Sequence, residues 1–215
     1  MSTKTIIENL SLVFSVDQGK IKILLLKKKE EPYKGYWVFP NKILEEESFF
    51  ENTDQVIEDL FHLNNIYKEN YISFNDIRDK KRIVQTTVLC YMDEATKNYM
   101  VKDSEDYEWE WFDASNTPKM AFNYEEIMEN AYIGVKRQIK ETEILKKLYP
   151  SDFTVAELQT LVEEVLEKEI DRNSFRNKLI SSEIIEDTEL TDVATSGRPA
   201  KLYQFKENAI VQKIF

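Results

Sequence analysis

Ser48, with Glu51 three residues further on, fixes where a helix must begin in the first half of this chain. The serine oxygen accepts from an amide that the helix leaves unpaired, and the glutamate reaches back to the serine amide. Phe50, Thr53, Ile57, Leu60 and Phe61 then recur at intervals of three and four, and Val56 widens the stripe, so one side is predicted to face a core. Ahead of the helix, Gly35-Tyr36-Trp37-Val38-Phe39-Pro40 reads as a strand running into a loop that ends at Glu47. Taken alone, the helix is equally consistent with any amphipathic core helix.

Composition narrows the classes. A chain of 215 residues can bury a real core as one large or two small domains. Its formal charge of −11 argues against indiscriminate polyanion binding, so any nucleic-acid surface must be a local basic patch. One cysteine, Cys90, excludes an intramolecular disulfide, and it sits in an apolar strand where a buried small residue is expected. With no apolar run of membrane length and no signal-peptide core, a cytoplasmic protein with no membrane partner is expected. Gly19, one of only four glycines, follows Asp17-Gln18 between two apolar runs, which predicts a hairpin joining strands at Leu10–Val16 and Ile21–Leu26. Further along, Ile77 to Arg82 reads as a charged loop leading into the β-branched strand Ile83–Leu89, and Glu108–Phe112 alternates as a strand with one wet face. Asn123 is the expected cap of a helix whose buried stripe is Ile127, Ala131, Val135 and Ile139.

The segment from Gly35 to Ile66 resembles the Nudix box, whose pattern is Gly, five residues, Glu, seven residues, then Arg-Glu-apolar-any-Glu-Glu-any-Gly-apolar. With Glu47 at the first Glu, Gln55 takes the Arg position, Val56 the next Glu, Asp59 and Leu60 the Glu-Glu pair, and His62 the Gly. Asn41 and Lys42 stand where the family has its glycine pair. Nudix enzymes hold Mg²⁺ against a pyrophosphate with the helical carboxylates, since a hard cation requires oxygen ligands, and Val56 and Leu60 offer none. The resemblance therefore implies a Nudix fold without Nudix hydrolysis: no catalytic residue, no metal ligand and no cofactor.

It also implies effector-site candidates. Lys28 falls where relatives carry an Arg pointing into the ligand cleft, although Lys27-Lys28-Lys29 also reads as a solvated strand end. Trp37 belongs to the Trp-bearing turn that precedes the box. Arg82, before the apolar strand, fits a phosphate or ribose ligand, because its planar fork bonds phosphate bidentately; a loop-closing salt bridge with Asp76 or Asp79 is the alternative.

Tyr149-Pro150 marks a boundary, because proline lacks an amide proton and its predecessor avoids helix. Beyond it, Thr154 with Glu157 forms a second capping box, stapled by Phe153 against Leu158, and opens a helix. Asp171 caps a shorter helix, Arg172–Ile180, that buries Phe175 and Leu179. Ile184-Ile185 reads as a strand, Thr188–Ser196 as a polar loop, and Lys201–Phe205 as a returning strand. Helix, turn, helix and hairpin make a winged helix-turn-helix. Gly197-Arg198-Pro199-Ala200-Lys201-Leu202-Tyr203 closely resembles the wing of the Nudix-related transcriptional regulators of NAD metabolism and their sugar-responsive relatives. That resemblance covers nearly the whole chain.

The expected fold is α+β: a Nudix-like α/β/α sandwich with a mixed sheet over residues 1–148, then a winged helix-turn-helix over 149–215. The expected function is a DNA-binding transcriptional regulator whose degenerate Nudix domain senses ADP-ribose or another NAD-derived or sugar metabolite, working as a homodimer on an operator. Arg172, Asn173 and Arg176 are the base-reading candidates with Ser174 beside them, and Lys178, Arg198 and Lys201 the phosphate contacts. Glu163, Glu164, Glu167, Glu169, Asp187 and Glu189 surround that patch with acid. The alternatives are a pyrophosphohydrolase using Glu47 and Asp59, and an adaptor that binds protein rather than DNA.

Overall fold

The computed structural model describes residues 5–64, 66–100, 108–149, 152–192 and 199–215. By contact the chain divides into two compact units, Met1–Ser15 with Lys22–Ile133, and Val16–Ile21 with Gly134–Phe215.

In chain order the elements are β1 (Thr5–Asp17), β2 (Lys20–Lys27), β3 (Trp37–Val38), β4 (Asn41–Ile43), α1 (Phe49–Phe61), β5 (Tyr67–Arg78), β6 (Lys81–Tyr91), α2 (Glu94–Asn98), β7 (Glu108–Asp113) and α3 (Tyr124–Glu141). There follow α4 (Ile144–Leu148), β8 (Phe153–Thr154), α5 (Val155–Leu166), α6 (Arg172–Ser181), β9 (Ile185–Asp192), β10 (Ala200–Phe205) and a closing 3-10 turn, Val211–Ile214.

The larger sheet runs β3-β2-β1-β6-β5, with β4 paired to β1 and β7 to β2. Only β1 and β6 are parallel among the pairs with a described register, so the sheet is mixed as expected. Leu10 to Val16 are buried without a break, the mark of a strand covered on both faces. Successive side chains show what covers it. Asn9 reaches Asn52 and Thr53 of α1, whereas Glu8 meets Arg78, which lies over the Phe122 and Tyr124 rings at the start of α3. Helices α1 and α3 therefore flank opposite faces.

Both elements of the Ser48 box form, with Ser48 Oγ accepting from Glu51 N and Glu51 Oε2 from Ser48 N. The buried side of α1 is Asn52, Thr53, Val56, Ile57 and Phe61, while Phe50 is 37% exposed. The stripe thus starts with a polar patch rather than an aromatic. Asn9 Nδ2 donates to Asn52 Oδ1 and Thr53 Oγ1, both at 3.0 Å, and Thr86 Oγ1 donates to Asn9 Oδ1 at 2.9 Å, which makes those positions compatible with burial. Asn123 was expected to cap α3; its side chain instead exchanges two hydrogen bonds with the Gln85 amide, at 2.8 and 2.9 Å. Cys90 is buried, and desolvation pushes its thiol up to about 12.

In the second unit, α4 buries Ile144, Leu145 and Leu148 and is tied to the chain end by Lys146 Nζ to Glu207 O and by Gln212 Nε2 to Glu143 Oε1. These contacts place Gly134 to Leu148 in the second unit, ahead of the Tyr149-Pro150 break read from the sequence. A small sheet, β8-β10-β9, closes the unit. Strand β9 extends to Asp192, into the segment read as polar loop, because Thr188 Oγ1 donates to Leu202 O and Lys201 pairs with Asp187. The Val16–Ile21 hairpin tip packs in this unit. Ile21 N donates to Glu164 Oε2, and a Cβ on Gly19, at φ +77, would lie 2.4 Å from Glu157 O. Glycine is required there on both counts. No helix among the described residues is long and apolar enough to cross a membrane.

Candidate effector cleft and DNA-reading face

A cleft of about 930 Å³ opens in the first unit between the end of β2 and the second half of α1. Val56, Asp59 and Leu60 form the helix wall, Asn41 and Lys42 of β4 the floor, and Lys27, Lys28 and Lys29 with Leu26 the strand wall. The helix ends at His62, which holds a left-handed conformation with φ 55, the geometry the box reserves for glycine. That match supports the alignment, so the three helical positions that carry carboxylates in the box, 56, 59 and 60, are the ones that face the cleft. Two are apolar. Among the described residues no group of three or more His, Cys, Asp or Glu side chains could hold a metal ion.

The cleft's positive side chains are held from behind. Lys28 N donates to Tyr36 O at 2.9 Å and Gly35 N to Lys28 O at 2.8 Å, so the backbone bearing Lys28 is clamped. Lys42 Nζ donates to Gln55 Oε1 at 2.8 Å, against the helix wall. Lys27 turns its charge to Glu108 at 2.8 Å and lies over the Trp37 ring.

Of the three effector candidates, only Lys28 lines the cleft. Trp37 is held in an edge-on contact with Phe112 and spans the first unit through Trp37 N to Lys119 O and Ala121 N to Trp37 O. Arg82 is exposed at the start of β6, opposite Thr5 and Ile77. Neither acid expected as its partner is bound to it; Asp76 pairs with Arg78 at 2.8 Å. Arg78 is the arginine the fold encloses. Burial works against its charge, and Asp76 and Glu8 more than offset that, leaving its pKa above the ordinary value. Alternation along β5 carries the signal for it, since Asp76 and Arg78 share a face. Glu47, one of the two carboxylates of the hydrolase alternative, accepts from Asn52 Nδ2 at 2.5 Å, which lowers its pKa, and it does not line the cleft.

In the second unit, α5, a five-residue turn (167–171) and α6 form a helix-turn-helix. Gln159 Nε2 donates to Ile170 O and Ile170 N to Glu163 Oε1, bracing the turn from α5. Asp171 Oδ1 caps α6 by accepting from Ser174 N, and that bond lowers its pKa. Phe175 and Leu179 are buried, and Arg172, Asn173, Ser174 and Arg176 are exposed together. Asn177, one turn after Asn173 and equally exposed, was missed by the sequence reading; the four-residue spacing was the available signal. Lys178 Nζ donates to Ile214 O at 2.8 Å, and Lys201 is ion-paired with Asp187, so each already has a partner. Arg198 lies outside the described residues.

Four of the six surrounding acids are also engaged. Glu163 braces the turn, Glu164 accepts from Ile21 N, Glu167 pairs with Lys136, and Asp187 with Lys201.

These features define a class: a Nudix-like domain carrying a degenerate box, continued by a winged helix-turn-helix. Residues 136–205 match the family described as the NrtR DNA-binding winged helix domain. An ADPR-responsive transcriptional repressor, NtrR, of Acinetobacter baylyi is 27% identical over 198 residues, 90% of this chain and 79% of that protein. The crystal structure of Shewanella oneidensis NrtR complexed with a 27mer DNA superposes with a TM-score of 0.72 at 22% identity, covering 93% of each chain. The Nudix domain of the same protein, in complex with ADP ribose, matches 62% of this chain and 90% of its own with a TM-score of 0.53 and 15% identity. The resemblance to Nudix-related transcriptional regulators read from the sequence thus holds for both parts of the fold.

Proposed function

We propose that this protein is a transcriptional regulator that reads an operator with α6 and its wing and responds to ADP-ribose or a chemically related metabolite bound in the cleft of the Nudix-like unit. One observation carries the reading: a cationic cleft with two of its three helical box carboxylates replaced by apolar side chains stands in the same chain as a capped, outward-facing helix bearing Arg172, Asn173, Arg176 and Asn177. The relatives' names, an ADPR-responsive repressor and a structure with bound DNA, support it from outside.

Arg172 and Arg176 carry the chemistry that bonds guanine O6 and N7, Asn173 and Asn177 that of adenine N6 and N7, with Ser174 beside them. Lys178, Arg198 and Lys201 serve phosphates; Lys178 and Lys201 must first exchange their internal partners. The unit that runs to Ile133 carries the effector function and the unit from Gly134 onward, α4 included, the DNA function, the chain pairing as a homodimer so that two α6 helices meet successive major grooves. A regulator of this kind acts in the compartment of its DNA, in keeping with a cytoplasmic protein. Effector binding changes DNA affinity only if it favours one dimer geometry over another. Hydrolysis is not part of this function, because Asp59 alone among the box positions offers a carboxylate to the cleft. The adaptor alternative gains no specific support.

The test is a gel-shift series on the upstream region of the protein's own gene, at several salt concentrations, with and without ADP-ribose. Retention with a steep inverse salt dependence, altered by ADP-ribose, is expected. Failure to retain upstream or genomic fragments at low salt, in either condition, overturns the DNA-binding reading.

A further inference from the structure

The Nudix fold implies Mg²⁺ in the cleft, and the donor set here does not fit it. Mg²⁺ in phosphate sites requires near-octahedral oxygen ligation, anchored by carboxylates and completed by phosphate and water. Val56 and Leu60 place hydrocarbon at two of the three helical carboxylate positions of the box, leaving Asp59 in the cleft. The charge is also of the wrong sign: four lysines line the cleft against two carboxylates, Glu30 and Asp59, in a chain whose net charge is −11. Even with Lys27 discharged on Glu108, the lining carries more ammonium than carboxylate groups.

We propose that Lys28 and Lys42 replace the divalent cation, so that the cleft binds a diphosphate-bridged ligand without metal. This rests on the effector reading above and adds how the ligand is held. Both residues line the cleft, Lys28 on the clamped backbone that follows β2 and Lys42 on β4, where its contact with Gln55 spends one of three donors and leaves two. A diphosphate accepts charge-assisted hydrogen bonds from both. Val56, Leu60, Leu26 and Val38 supply the apolar surface for the rest of the ligand, and about 930 Å³ is the size class of a pocket for a nucleoside diphosphate derivative. Substituting fixed ammonium groups for a metal also removes the Lewis acid that hydrolysis in this fold depends on, so retention of the ligand and loss of turnover have one cause.

Isothermal titration of the full-length chain with ADP-ribose, once in excess EDTA and once in excess Mg²⁺, decides the matter. Expected is an affinity equal within about twofold in the two buffers, falling with added salt. Lys28→Gln with Lys42→Gln should lose on the order of a hundredfold in affinity at an unchanged melting temperature, two charge-assisted contacts at about tenfold each. Restoring charge with Lys28→Arg and Lys42→Arg should recover most of it. Binding that requires Mg²⁺, or a double Gln variant that binds as well as the parent, overturns the proposal and leaves the effector reading standing. Absence of binding by ADP-ribose, NAD and inorganic pyrophosphate in both buffers overturns both.

Discussion

Replacing Arg176 separates base reading from phosphate attraction, because the structure leaves this side chain in a different state from its cationic neighbours. Arg176 is exposed on α6 and has no ion pair among the described residues, whereas Lys178 donates to Ile214 O and Lys201 is paired with Asp187. A bidentate arginine-guanine contact contributes about 1–3 kcal/mol of discrimination, and a dimer makes it twice, so Arg176→Ala should cost about 2–6 kcal/mol at the cognate site. Taking the lower bound, that is a loss of about thirtyfold. Lys178→Ala loses a phosphate contact only after subtracting the bond to Ile214 that the free protein already enjoys, about 1 kcal/mol, and so should change DNA affinity little while lowering stability. Fluorescence anisotropy with the gene's own upstream duplex and a shuffled duplex, at three salt concentrations, measures both. Arg176→Ala should weaken the cognate duplex far more than the shuffled one and leave the salt slope nearly intact. An equal loss on both, with the slope reduced by about 0.9 for each phosphate released, would make Arg176 a phosphate contact and refute the reasoning.

Two further changes probe the scaffold. Asn9→Ala removes the partner of Thr86 Oγ1 and Asn52 Oδ1 in a buried network and leaves Thr53 Oγ1 with Ser11 Oγ, and should lower the free energy of unfolding in urea by about 2–4 kcal/mol; a loss below about 1 kcal/mol would show that the network is satisfied without it. Gly19→Ala puts a Cβ 2.4 Å from Glu157 O and 2.6 Å from Thr160 Cβ at a positive φ, a cost of about 2–5 kcal/mol that thermal unfolding would register, and an unchanged melting temperature would mean that the hairpin tip does not pack on α5.

What the sequence made legible was whatever local chemistry determines. Both capping boxes, the Gln18-Gly19 turn, the buried side of α3 and the helix-turn-helix depend on contacts within a few residues, and each forms where the spacing placed it. Long-range partners were not legible. Asn52 stands outside the stripe read for α1, yet β1 supplies Asn9 to bury it, and Asn123 reads as a cap but β6 supplies Gln85. Arg82 stood out because it precedes an apolar strand, but exposure at a strand end follows from sheet order, which brings Arg78 inward instead, beside Glu8 from a strand 70 residues away in sequence.

The acid around α6 shows the same limit with a functional consequence. Counted along the chain, Glu163, Glu164, Glu167 and Asp187 argue against a duplex surface. In the fold each is spent, on the turn, on the hairpin tip, on Lys136 and on Lys201. For Glu167 and Asp187 the ion pair shrinks the repulsion at close range, because a neutral pair presents a dipole rather than a charge to a phosphate, whereas Glu163 and Glu164 are fixed by neutral donors and keep their charge. The chain's net charge of −11 still acts at distances where pairs are not resolved, and it opposes loose association with any duplex. Affinity then depends on contacts that only a matched groove completes, which raises the ratio of specific to non-specific binding rather than either affinity alone.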